Sequence, residues 1–211
     1  MQKAHGAIIF DFDGVLADSV DAVVRALARV ALQKKVPILT REFISNNDFN
    51  VILEALNVKW WELPYMVYNQ RKLVLEIEPS ARLFPWATEL LNTATNMFDR
   101  TWIVSSTPKA RILTCLQEAK IDLDKVHVHA DVGIFNKHRI LKKLIHSEHL
   151  DPNMVIYIGD ETRDIIAAHK AGIRCLGVSW GLNSSETLKS INKGLVLDDP
   201  AKFKTMINEL L

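Results

Sequence analysis

Ala7-Ile8-Ile9-Phe10-Asp11-Phe12-Asp13-Gly14-Val15-Leu16-Ala17-Asp18-Ser19 is the stretch on which the reading of the chain turns. A short apolar run of β-formers stops at two carboxylates and a glycine. Such a run reads as a buried parallel strand with its polar residues just past the carboxyl edge. Side chains at i and i+2 of an extended segment point the same way, so Asp11 and Asp13 converge on one spot. Two like charges held close are unfavourable unless a cation joins them or one carries a proton, and hard divalent ions, Mg²⁺ above all, suit such a pair. Asp-Gly is equally ordinary turn chemistry. On these residues alone a metal site and a strand followed by an Asx turn stand side by side.

The rest of the chain bears on that choice. From Val20 the apolar spacing turns helical (Val20, Val23, Val24, Leu27, Val30, Ala31), with Ser19 placed to cap and Pro37 beyond the end. Short helices are expected at Thr40–Ser45 and Phe49–Asn57. A longer one is expected at Leu63–Ile77, with Leu63, Met66, Val67, Leu73, Val74 and Ile77 on one face and Pro79-Ser80 after it. From residue 84 onward strands alternate with helices. Pro85 opens a helix, Thr101–Val104 is a strand, and Pro108 begins a helix that runs to about Lys120. Val126–Ala130, Met154–Ile158, Ile173–Val178 and Leu195–Leu197 are strands, Lys137–His149 is a helix, and Gly172 is a C-cap. Asp198-Asp199-Pro200 caps the last helix. The expected architecture is α/β: a doubly wound, Rossmann-like parallel sheet built from 1–15 and 84–211, with the all-helical block 16–83 inserted as a cap domain.

Composition sets further bounds. The chain has 211 residues, 48% of them apolar and 24% charged, which suits one large domain or a domain with an insertion. A net charge of +1 gives no electrostatic footprint for nucleic acid or a membrane surface. Cys115 and Cys175, alone in apolar segments, build neither a disulfide framework nor a zinc cluster. No signal peptide or membrane span is read, and a cytoplasmic location is expected.

Open parallel sheets bind ligands outside the carboxyl ends of their strands. Four polar strand ends should therefore meet there: Asp11/Asp13, Ser105/Ser106, the segment leading to Lys137, and Asp160 with Asp164 behind it. Singly, each has a plainer explanation as turn, cap or solvated helix start. Together they offer carboxylates, a hydroxyl and an ammonium around a cation, an inventory that suits a phosphate. His127, His129, His138, His146 and His149 crowd one span but promise no convergence. Trp60-Trp61 reads as core or partner surface, and Arg41, Asn46, Asn47 and Arg71 as solvated residues of the helical block that could also read substrate.

Taken together, the motifs resemble the haloacid dehalogenase superfamily, in its phosphoglycolate phosphatase-like branch with an α-helical (C1) cap. The DxDG(T/V) signature is Asp11-Phe12-Asp13-Gly14-Val15, the second motif Ser105 in WIVSS, the third Lys137 in FNKHRIL, and the fourth Gly159-Asp160-Glu161-Thr162-Arg163-Asp164. The tail AAHKAGIRCLGVSWGLNS is similar to the same branch. The resemblance implies Asp11 as nucleophile, forming an aspartyl-phosphate, and Asp13 as general acid/base. It implies Asp11, the backbone carbonyl of Asp13 and Asp160 as Mg²⁺ ligands, with Asp164 behind them or as an accessory ligand. Ser105, the backbone of Ser106 and Lys137 would hold the phosphate, and Lys137 would also steady the nucleophile. The substrate would be a small phosphorylated metabolite, with no nucleic acid or membrane partner, and the protein a monomer or homodimer. Dehalogenase members lack an acid at the position of Asp13, which favours phosphoryl transfer. Three departures stand out: Val15 for Thr, His138 after Lys137 where Pro is frequent, and Pro85-Trp86 where Pro-Gly is common; the indole is expected to pack. The alternatives are a β-phosphoglucomutase-like sugar phosphomutase, a phosphonoacetaldehyde hydrolase using Lys34 or Lys35, and a non-catalytic binding or regulatory protein.

Overall fold

The structure, a computed structural model, describes residues 4–77, 82–133 and 136–211. Its centre is β1 (Ala4–Phe10), flanked in register by β2 (Phe98–Val104) on one side and β4 (Val155–Gly159) on the other. With β3 (His127–His129), β5 (Arg174–Val178) and β6 (Val196–Leu197), the described strands form one all-parallel sheet of order β3-β2-β1-β4-β5-β6. Ile8 and Phe10 face one apolar layer and Ala7 and Ile9 the other. That two-sided burial is why the strand carries an unbroken apolar run rather than an alternating one.

The first layer is covered by α5 (Ala87–Met97), α6 (Lys109–Glu118) and α10 (Phe203–Leu210), and the second by α7 (Lys137–Ser147), α8 (Thr162–Ala171) and α9 (Ser185–Ile191). The expected α/β, doubly wound sheet is present. β2 begins at Phe98 rather than Thr101, because Phe98 and Arg100 pair with Ala4 and Ala7 although Asp99 and Arg100 are exposed. Pro108 is the residue before α6, in an extended conformation, rather than its first helical residue. Gly172 ends α8 with a left-handed φ of 79°. Asp199 caps a short 3₁₀ turn, Pro200–Lys202, that leads into α10. Helix α9, unforeseen, is capped by Ser184.

Between β1 and residue 82 the described chain is helical: α1 (Val20–Lys34), α2 (Arg41–Ser45), α3 (Phe49–Ala55), a 3₁₀ turn at Trp60–Glu62, and α4 (Leu63–Ile77). This block has an apolar cluster of its own, including Leu27, Val30, Ile44, Ile52, Leu56 and Met66. Thr40 and Asp48 cap α2 and α3 through their side chains. Ser19 precedes α1 but makes no capping bond; its hydroxyl is buried without a partner. The side chains of Val67 and Arg71 and the Pro79-Ser80 break lie outside the described residues.

Candidate active site

Asp11 stands one residue past β1, its backbone N–H donating to the Ile158 carbonyl at 2.9 Å. It therefore sits over the middle of the sheet, where Asp160, one residue past β4, also emerges. One turn into α8 comes Asp164, and Lys137 opens α7. The Lys137 ammonium joins these pieces, donating to Asp11 Oδ2 and to Asp164 Oδ1 at 2.6 Å each. Asp11 Oδ1 accepts the Phe12 N–H at 2.7 Å, and Asp164 also accepts from Glu161 N–H at 3.2 Å and from the buried Tyr157 hydroxyl at 3.3 Å. The third motif, which departs from the family pattern at His138, is thus held to the first and fourth by charge-assisted bonds.

Carboxylate oxygens of Asp11, Asp160 and Asp164 lie within 4.8 Å of one another, and all three residues are buried. Burial pushes the Asp11 carboxyl up to about 7 against the opposing pull of Lys137, with Asp164 and Asp13 adding to the rise. Burial also carries Asp160 well above the carboxylate range, reinforced by Glu161, Asp164 and Asp11. For Lys137, burial disfavours the charge, but Asp11 and Asp164 outweigh it and the ammonium is held above its ordinary value. Asp160 Oδ2 accepts the Leu182 N–H at 2.8 Å, whereas its Oδ1 is buried with no partner. Negative charge in surplus, together with one orphaned buried oxygen beside two further carboxylates, fits a hard divalent cation.

Two glycines allow this crowding. Gly14 has φ +71°, and a Cβ there would fall 2.0 Å from Asp160 Oδ2; one at Gly181 would fall 2.2 Å from Asp160 Cβ. The first-motif loop is closed by the Gly14 N–H to the Ala17 carbonyl at 2.9 Å, and Trp180 Nε1 donates to the Val15 carbonyl at 3.1 Å. Trp86 stacks on Phe84 and meets Trp180 edge-on, so the indole at the Pro85-Trp86 departure packs, as expected.

Asp13 and Ser106 line the same small cavity, of about 50 Å³, as Asp11, Lys137, Glu161, Arg163 and Asp164. Ser105 is buried beside it, its Oγ accepting the Thr107 N–H at 3.0 Å, which leaves its own O–H to donate. Asp13 takes a hydrogen bond from the Thr107 hydroxyl. Thr107 and Tyr157 were missed by motif reading. Thr107 lies only two residues past Ser105, and Tyr157 looks in sequence like one more apolar strand residue.

A larger hollow of about 250 Å³ lies between Asp48, Phe49 and Asn50 of the helical block and Lys137, Thr162 and Arg163 of the sheet domain. Arg163 stacks over the Phe49 ring, 4.0 Å from its centroid, and pairs with Glu161 at 2.8 Å. The buried Asn183 ties the two parts further. Its Oδ1 accepts from Thr162 N–H at 2.9 Å, and its Nδ2 donates to the carbonyls of Ser45 and Asn47 at 3.2 and 3.0 Å.

The remaining tempting residues stand apart. His127 and His129 lie against Trp102, with ring centroids at 4.6 and 5.2 Å, and share no ligand cluster with His138, His146 or His149 among the described residues. Trp60 and Trp61 meet edge-on but are 77% and 62% exposed, so they are not core. Arg41 pairs with Asp21, Asn46 ends α2, and Asn47 donates to the Phe43 carbonyl. Lys34 is held by Glu62 at 2.5 Å, and Lys35 ends α1 with φ 55°. Both cysteines are buried and neither is in a disulfide. No helix of the described residues is long and apolar enough to cross a membrane.

Similarity to known proteins follows the same residues. A phosphoglycolate phosphatase of Synechococcus elongatus is 29% identical over 208 residues, covering 97% of this chain and 98% of its own. A 5'-nucleotidase of Pseudomonas aeruginosa is 23% identical over 193 residues, covering 87% and 86%. A haloacid dehalogenase-like hydrolase from Streptococcus pneumoniae has the same fold, with a TM-score of 0.73 at 20% identity over 96% of this chain and 98% of that one. The family model of haloacid dehalogenase-like hydrolases matches residues 8–178, from the strand that presents Asp11 to the end of β5. With most of its length matched and the four motifs at one sheet edge, the chain belongs to the haloacid dehalogenase-like hydrolase family.

Proposed function

We propose that the protein is a Mg²⁺-dependent phosphatase that hydrolyses a small, phosphoglycolate-like phosphomonoester through an aspartyl-phosphate on Asp11. The observation that carries this reading is the Lys137 ammonium shared between Asp11 and Asp164, beside the unpartnered Asp160 Oδ1. A buried carboxylate attacks an anionic phosphate only where positive charge offsets the repulsion, and that is the charge Lys137 and a cation provide. Asp11, the backbone carbonyl of Asp13 and Asp160 would hold the Mg²⁺, with Asp164 in support. The ion, when bound, neutralises phosphoryl oxygens and lowers the cost of bringing two anions together.

In this reading the Asp11 carboxylate attacks phosphorus, and the ester oxygen leaves with a proton from Asp13. Asp13 then takes a proton from the water that cleaves the aspartyl-phosphate. The Ser105 hydroxyl and the backbone N–H of Ser106 hold phosphoryl oxygens, and Lys137 holds Asp11 in place while countering the charge that builds on the phosphoryl group. The helical block, 16–83, acts as a cap over the site. Its loop at Asp48–Asn50 meets Lys137 and Arg163, which also line the small cavity of the carboxylates, across a hollow that Asp11, Asp13 and Asp164 do not themselves line. The named activity of the Synechococcus relative supports phosphoglycolate as the first substrate to try.

A panel of phosphomonoesters assayed with Mg²⁺, including 2-phosphoglycolate and an aryl phosphate, tests the proposal. Turnover that requires Mg²⁺ and disappears in Asp11→Asn is expected. Inertness toward every ester, or undiminished turnover in Asp11→Asn, would overturn it.

A further inference from the structure

Asp13 has a partner that no motif supplies. The hydroxyl of Thr107, on the loop between β2 and α6, donates to Asp13 Oδ2. Thr107 is itself held on three sides. It is 7% exposed, its N–H donates to Ser105 Oγ at 3.0 Å, and its carbonyl accepts the Asp131 N–H at 3.3 Å. Pro108, with φ −57°, fixes the chain immediately after it. A β-branched side chain on so constrained a backbone has little rotamer freedom. By contrast, Asp13 is only partly buried, on a tight loop at the point where the helical block departs from the sheet. One carboxylate of the site is thus pinned by a rigid element of the sheet domain rather than by anything in the helical block.

We infer that Thr107 is a positioning residue for Asp13. Its hydroxyl holds one carboxyl oxygen so that the other is presented for proton transfer to the leaving oxygen and, in the second half of the reaction, from water. The inference rests on the acid/base role proposed for Asp13. In the step concerned, the P–O bond to the leaving group breaks as the Asp13 proton passes to that oxygen. Water then attacks the aspartyl-phosphate and returns a proton to Asp13, so the cycle closes with no other reactant.

Leaving groups separate this role from simple packing. An alkoxide needs its proton as the bond breaks, whereas a nitrophenolate leaves without one, and a positioned acid is worth about 10²–10⁴-fold where it is needed. Thr107→Val removes the O–H at nearly constant volume. With Mg²⁺ present, it is expected to lower kcat on 2-phosphoglycolate by about ten-fold or more, to change kcat on p-nitrophenyl phosphate by less than about three-fold, and to leave both KM values within about two-fold. Thr107→Ser should restore most of the loss on the alkyl ester, and Thr107→Ala serves in its place if the valine variant does not fold. Asp13→Asn, assayed in parallel, should show the same selectivity with a larger loss. Equal losses on both esters, or no loss, in Thr107→Val would overturn the inference while Asp13→Asn keeps its selectivity. A non-selective Asp13→Asn, or wild-type protein inert to both esters, would overturn the acid/base role and the inference together.

Discussion

Changing Asp11 to asparagine keeps the side chain's shape and removes the charge that Lys137 faces at 2.6 Å. Turnover should fall by roughly 10⁴-fold or more, as for other nucleophile deletions, and Lys137→Met should cost about 10²–10³-fold, the scale of a lost electrostatic stabiliser. Steady-state rates on one ester compare the two. The same carboxylates set a pH dependence. In the metal-free protein burial raises Asp11 to about 7 and Asp160 well above its usual range. A carboxyl that binds its proton more tightly folded than unfolded stabilises the fold below the unfolded value near 3.9, and that contribution is lost as pH rises through the folded value. Chelator-treated protein should therefore melt lower at about pH 8 than at about pH 5. The gain on adding Mg²⁺ should grow over the same interval, because the ion must displace those protons. Melting curves at several pH values check both halves; a Mg²⁺ gain that shrinks toward alkaline pH would contradict them.

At the scale of elements, the segment Gly181–Ser184 after β5 carries more than its sequence suggests. Leu182 N–H holds Asp160, and Asn183 and Ser184 hold the end of α2. Asn183→Leu would strand the Thr162 N–H, an amide buried in the first turn of α8, and take the donor from the Asn47 carbonyl, while the Ser45 carbonyl keeps the Ser184 N–H at 2.8 Å. Each lost partner costs on the order of 1–3 kcal/mol, and a chain of this size loses about 2–4 °C of melting temperature per kcal/mol. A fall of several degrees by calorimetry is expected. Strands, helices and the four motifs could be read because each is written in local apolar spacing and strand-end polarity. Asp11 and Asp160 announced themselves in this way, whereas the role of Lys137 was reached only through the family resemblance. Thr107, Tyr157, Arg163 and Asn183 did not, because their roles arise only when loops distant in sequence meet. Asn183 binds the chain near Ser45 on one side and near Thr162 on the other, and no periodicity encodes such a meeting. α9 went unread because it is short and only Leu188 on it is buried.

Across the whole molecule the five tryptophans fall into two environments. Trp102 is buried, and Trp86 and Trp180 are packed against the main core, while Trp60 and Trp61 face outward on the helical block. Replacing Trp60 and Trp61 by Phe should change stability by less than about 0.5 kcal/mol, as at other exposed positions. It should also remove the iodide-quenchable part of the emission. A titration of fluorescence with iodide reads this directly, and quenching that survives the double change would place those indoles elsewhere.

The central place of β1 also bears on how the chain folds. Ile8 is paired with Thr101 on one flank and Ile156 on the other. The segment that carries Asp11 precedes both of its neighbours in the chain and finds the second, β4, only when the helical block and β2 and β3 have already been made. In the meantime the helical block, rich in contacts close in sequence, can assemble. Closing such long loops is slow relative to local helix formation, so the strand that carries Asp11 waits, apolar on both faces, as the segment most exposed to off-pathway pairing during synthesis.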